Sequence, residues 1–121
     1  ESPDLIVIEG QGSLMNPAYP GGFEILAAGR PDYVIIQHAP KRIEYDGFPG
    51  YVLHPIKEQI NAIETISGKK VIAVTVNHED MTKEEIAPAC LKITEETGLP
   101  AFDVLEYGAE ELVELLKSYL K

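Results

Sequence analysis

The sequence predicts an α/β fold, a mostly parallel sheet in a three-layer αβα arrangement. Three observations predict it. Short, uninterrupted apolar runs recur near residues 4–9, 33–38, 70–77 and 101–105. Segments of helical period separate them, and each run closes on polar residues or glycine. Apolar character on both sides of a strand is what a sheet covered on both faces requires, and strands alternating with helices imply crossover connections between parallel neighbours.

The elements follow in chain order. Asp4-Leu5-Ile6-Val7-Ile8-Glu9-Gly10 reads as a first buried strand ended by a charge and a glycine. A helical stretch is expected from Phe23 to Ala28, and Tyr33-Val34-Ile35-Ile36-Gln37-His38 is the second strand. Ile56, Ile60, Ile63 and Ile66 recur at helical spacing behind Pro55, a residue suited to a first helical turn. Lys70 to Asn77 forms the third strand. The next helix starts at a capping box, Thr82 with Glu85, and stops at Gly98 before Pro100. Pro88 lies about two turns into it and predicts a kink or a restart near Ala87. A short fourth strand at 101–105 and an amphipathic outer helix from Leu112 to Leu120 complete the chain. The long irregular stretch, Ala39 to Tyr51, has a length and a glycine and proline content often found in functional loops.

Composition bounds the partners. With 121 residues, 45% of them hydrophobic, the chain is one domain or part of one, spanning 1–121. The single cysteine, Cys90, leaves no internal disulfide, and the sequence shows neither a basic-then-apolar leader nor an apolar run long enough to span a bilayer. A cytoplasmic setting is expected. Twenty acidic residues against ten basic ones give a formal net charge of -10, which argues against nucleic acid and anionic membranes as partners. A small anionic coenzyme or nucleotide can still bind where backbone amides or a local basic pair face it. Only three residues precede the first strand, so an upstream part of the protein is expected to be missing. A parallel strand stripped of its neighbours exposes donors and apolar side chains, which predicts a homo-oligomer.

Open parallel sheets bind ligands beyond the carboxyl ends of their strands. Those ends carry Glu9, Gly10, Gln11, Gly12 and Ser13, then His38, then Asn77. Glu9 is a carboxylate at a buried strand end, costly unless paired or ligating. The glycines at 10 and 12 allow close approach of backbone and ligand. His38 follows an apolar strand; it is either a base able to take a proton near neutral pH or a histidine satisfied by neighbouring backbone. Lys41 and Arg42 can grip a phosphate, or simply answer Glu44 and Asp46 in a solvated loop. Asp46 and Tyr51 are the polar contacts of the tightly turned Asp46-Gly47-Phe48-Pro49-Gly50-Tyr51 segment, which is expected to shape a pocket. Ser13 lacks a nucleophile elbow, His54 reads as a cap or surface residue, and the contiguous His78-Glu79-Asp80 is poor chelate geometry for zinc.

Glu9-Gly10-Gln11-Gly12-Ser13-Leu14 with Asn16-Pro17-Ala18-Tyr19, the run His38, Pro40, Arg42, and the Asp46 to Tyr51 segment resemble a two-domain family that includes D-glutamate N-acetyltransferases. Some of its members carry the label NAD-dependent epimerase/dehydratase. The resemblance covers nearly the whole chain in motif order. It implies the carboxyl-terminal part of a P-loop NTPase-like domain. It also implies transfer of an acetyl group from acetyl-CoA to the amine of D-glutamate or another D-amino acid, with His38 or Glu9 accepting the proton. Related P-loop synthetases imply a second reading, an ATP/Mg-dependent ligase or kinase-like enzyme in which Glu9 orients the metal and Asn77 reads a purine. A third is a non-catalytic nucleotide-binding domain. The sequence departs from these families in one respect: it has no G-x-x-x-x-G-K-S/T loop, since Ser67-Gly68-Lys69-Lys70 lacks the first glycine and precedes a strand. The isolated chain is therefore expected to be inactive and to bind MgATP or acetyl-CoA at least ~10-fold more weakly than the intact protein.

Overall fold

The computed structural model describes residues 2–10, 13–18 and 21–120. It has two compact units, one made of residues 34–43 and 71–121, the other of 1–33 and 44–70.

The first unit holds the sheet. β1 (Val34–His38), β2 (Val71–Val76) and β3 (Ala101–Phe102) pair in parallel in the order β1-β2-β3. β2 is central, and its burial shows it: Val71, Ile72, Ala73, Val74 and Val76 are all buried, on both faces of the strand. That is the physical content of the apolar run read from the sequence. The ladder slips between Val34 and Ile35, after which Ile35 faces Ala73 and His38 faces Val76. On the other side Val74 faces Ala101 and Thr75 faces Phe102.

Helix α3 (Lys83–Thr97) connects β2 to β3 and packs against β3. Ile86 and Ile93, two turns apart on one face, are its buried residues. The expected capping box is present, with the Glu85 carboxylate accepting the Thr82 N–H at 2.9 Å. Gly98 ends the helix at φ 73°, its N–H donating to the Thr94 carbonyl at 2.8 Å. The helix runs unbroken through Pro88, so the restart expected at Ala87 does not occur. Proline removes a single donor, the one that the Glu84 carbonyl would have accepted, and the remaining ladder carries the helix past it. The fourth strand is shorter than the apolar run from 101 to 105. After Phe102 the chain turns at Asp103, whose carboxylate accepts the Glu106 N–H at 3.0 Å and starts α4 (Val104–Tyr107). α5 (Glu110–Tyr119) follows.

In the second unit α1 (Gly21–Glu24) runs into a π-helical turn at Ile25–Gly29, and α2 (Ile56–Ser67) packs against that turn. The strand expected near 4–9 is not formed. Among the described residues nothing pairs with this segment, and Ile6 and Val7 are 71% and 82% exposed. An apolar run records which side chains prefer burial, but a strand also needs a neighbouring backbone to pair with, and these residues have none here. Ile8 and Gly10 instead lie along the π-turn, close to Gly29 and Ile25. The 44–52 loop is tightly turned, as expected. An antiparallel bridge joins Glu44 to Val52, Gly47 and Gly50 take positive φ, and the Gly50 N–H donates to the Glu44 carboxylate at 3.1 Å.

Among the described residues no helix is long and apolar enough to cross a membrane.

Candidate functional site

The three adjacent strands of the sheet end on polar side chains. β1 ends at His38, β2 is followed by Asn77 and His78, and β3 is followed by Asp103. Because the strands are parallel and in register, these residues share the carboxyl edge of the sheet, where α/β folds place their ligands. The Asn77 N–H donates to the His38 carbonyl at 2.8 Å, which extends the β1–β2 pairing to this edge.

His38 is half-buried, and its ring has no hydrogen-bond partner among the described residues. Burial lowers its pKa below the ordinary histidine value, with the Glu96 carboxylate acting weakly the other way. The imidazole is therefore neutral at pH 7. Because the unfolded chain takes up this proton at about pH 6.5 and the folded one resists it, the unfolded state binds more protons below that value. Stability is undiminished above that pH. It is lost as pH falls through about 6.5 towards the lower folded value, and it levels off below that. Thermal melts between pH 7.5 and 5 are expected to show this decline, with His38→Gln flattening part of it; identical slopes in the two proteins would exclude His38 as its source.

Next to His38 lie the two cations expected to grip phosphate. Lys41 Nζ donates to Glu85 Oε1 at 2.7 Å, and Arg42 places Nε 3.0 Å from Glu79 Oε2, with Nη2 on the same oxygen. Their partners are thus Glu85 and Glu79 rather than Glu44 and Asp46. The Lys41 contact, followed by the Thr82 N–H, holds the Glu85 carboxyl below its ordinary pKa. An anion that recruits either cation competes with a carboxylate already paired to it. Asn77 accepts the Glu79 N–H through Oδ1 at 3.1 Å, an Asx turn that fixes the start of the 77–82 loop.

The interaction that sequence reasoning missed is His78 with Asp103. His78 Nδ1 lies 2.7 Å from Asp103 Oδ2, and the Asp103 side chain has no exposed surface while that of His78 is 34% exposed. A carboxylate only accepts, so Nδ1 carries the hydrogen. The legible signal was Asp103 itself, an acid inside the apolar run Ala101-Phe102-Asp103-Val104-Leu105, where burial demands a partner. Cys90 belongs to this neighbourhood: burial and then the Asp103 charge raise its thiol pKa, which disfavours the thiolate.

The remaining expected residues belong to the other unit. Glu9 and Gly10 are exposed and end no strand, which corrects the reading of Glu9 as a buried strand-end acid. Gln11 and Gly12 lie outside the described residues. Ser13 Oγ donates to the buried Gln59 Oε1 at 3.0 Å, and Gln59 Nε2 donates to the His54 carbonyl at 2.7 Å. Asp46 and Tyr51 are both exposed, Tyr51 by 58%, and the inward polar group of the loop is Tyr45, whose hydroxyl meets His54 Nδ1 at 2.6 Å. His54 is thus a packed partner of Tyr45 and not a helix cap. Among the described residues no three His, Cys, Asp or Glu side chains converge as a metal-ligand set.

A parallel sheet crossed by a helix, with polar groups gathered at its strand ends, defines an α/β domain. The chain belongs to the family described as "Domain of unknown function (DUF1611_C) P-loop domain", which it matches over residues 1–113. It is 30% identical over 116 residues to a D-glutamate N-acetyltransferase of Tritonibacter scottomollicae, covering 91% of this chain and 35% of that protein. It is 31% identical over 114 residues to a D-glutamate N-acetyltransferase of a Pseudoalteromonas species, covering 88% of this chain and 34% of the relative. The crystal structure of a DUF1611 family protein from Anabaena variabilis superposes with a TM-score of 0.84 at 24% identity, over 91% of this chain and 34% of that one, a likeness of fold. The chain spans about a third of the length of the curated relatives it matches.

Proposed function

We propose that this chain is part of an N-acyltransferase that moves an acetyl group from acetyl-CoA to the amine of a D-amino acid, with D-glutamate the preferred acceptor. The observation that carries the reading is similarity at 30–31% identity, over about nine-tenths of the chain, to two proteins named D-glutamate N-acetyltransferase. The geometry supports it through the sheet edge, where two imidazoles, His38 and His78, stand at neighbouring strand ends. Acetyl transfer to nitrogen needs a neutral amine, and at pH 7 an amino acid arrives as the ammonium, so a proton acceptor is required. Lys41 and Arg42 are the local cations able to face the phosphates of the donor.

The description of the family as a P-loop domain favours one alternative, an ATP/Mg-dependent reaction or nucleotide binding without chemistry. The experiment is direct. The full-length protein is mixed with acetyl-CoA and D-glutamate while free CoA thiol is followed with a disulfide reagent, and in parallel with MgATP while phosphate release is followed. Thiol release that depends on the amino acid, without phosphate release, is the expected result. Phosphate release without thiol release would replace the acyl-transfer reading with the ATP-dependent one.

A further inference from the structure

We propose that His78, oriented by the buried Asp103, is the group that takes the proton from the attacking amine; this rests on the acyl-transfer reading. The pair is built like a base with its orienting partner. Asp103 spends its two oxygens on different tasks: Oδ1 accepts the Glu106 N–H at 3.0 Å and starts α4, while Oδ2 holds His78 Nδ1 at 2.7 Å. Capping α4 needs only the first contact. The second keeps the hydrogen on Nδ1 and so leaves the lone pair on Nε2, the nitrogen turned away from the carboxylate. The loop backbone adds to the placement, since the His78 carbonyl accepts the Met81 N–H at 3.0 Å and Asp80 takes a positive φ of 60° to close the turn. His38, by contrast, has no hydrogen-bond partner to choose its tautomer among the described residues.

The step balances. Nε2 of His78 takes one proton from the substrate ammonium, and the neutral nitrogen attacks the thioester carbonyl carbon to form the C–N bond. The C–S bond breaks, and the second proton lost by nitrogen ends on the departing CoA sulfur. The proton on His78 then passes to water. A buried carboxylate beside the imidazole stabilises the imidazolium formed on the way. Asp103 touches no substrate and is a positioning residue.

The test uses the full-length protein and the thiol assay with D-glutamate. His78→Gln is expected to lower kcat about 100-fold or more, within the range of general acid–base catalysis, while KM for acetyl-CoA changes by less than about 3-fold. Asp103→Asn keeps the α4 cap but offers His78 a donor in place of an acceptor, which moves the hydrogen to Nε2; it is expected to lower kcat at least ~10-fold with KM unchanged. His78→Gly is expected to regain activity when imidazole is added, an effect that a residue with only a structural role would not show. Circular dichroism melts identify any variant that fails to fold, and imidazole rescue of the glycine variant then decides the matter. If the wild-type protein turns over and His78→Gln keeps more than a third of its kcat, the base assignment is wrong while acyl transfer stands. If the wild-type protein releases no thiol with D-glutamate or any other D-amino acid, acyl transfer falls and the assignment falls with it.

Discussion

Replacing Asp103 with alanine is expected to destabilise the sheet unit by about 2–4 kcal/mol, from the loss of a helix cap, typically about 1 kcal/mol, and of a hydrogen bond to a carboxylate, about 1.5–3 kcal/mol. The alanine leaves the Glu106 N–H without its cap and the His78 Nδ1–H without an acceptor, at a position whose side chain has no exposed surface. Asparagine is expected to cost much less, about 1 kcal/mol, since its carbonyl still caps α4 and its amide still bonds the ring. Amide hydrogen exchange of β2, which reports opening of this unit, measures both effects. The double variant His78→Ala with Asp103→Ala should lose less than the sum of the two single changes, because removing both partners leaves no orphaned donor on the ring. Equal exchange rates for the alanine and asparagine variants would show that the hydrogen bonds of Asp103 contribute nothing measurable to this unit.

The second large effect is expected in α3. Ile86 is 2% exposed and lies on the face that also buries Ile93, so Ile86→Ala removes three buried carbons and leaves a cavity. Such truncations cost about 2–5 kcal/mol, the larger values where the surroundings cannot close in. Leu91 is the control on the same helix. It is 65% exposed, and Leu91→Ala is expected to change stability by no more than about 0.5 kcal/mol. A loss at Leu91 as large as that at Ile86 would contradict the packing of α3 described above.

These two residues differ in how visible they were beforehand. Ile86 was legible: the capping box at Thr82 and Glu85 fixed where the helix begins, and helical period from there assigns Ile86 and Ile93 to one face. His78 and Asp103 are 25 residues apart, on loops whose local sequence says nothing of each other. Only the parallel pairing of β2 with β3 sets them side by side. The same limit applies to Lys41 and Arg42, whose basic character was plain but whose partners, Glu85 and Glu79, come from beyond β2.

By itself the sequence determined the α/β class, a strand within 70–77, the helix carrying Ile56, Ile60, Ile63 and Ile66, the helix from the Thr82–Glu85 capping box to Gly98, and the turned segment at Asp46 to Tyr51. Each of these is governed by local rules: side-chain periodicity, capping hydrogen bonds, and the backbone freedom of glycine and proline. Tertiary structure decided that 4–9 forms no strand, that the run from 101 breaks at Asp103, and that His78 has a buried partner. Those outcomes depend on whether a second backbone or a second polar group is present in space, and a pattern along one chain does not carry that information.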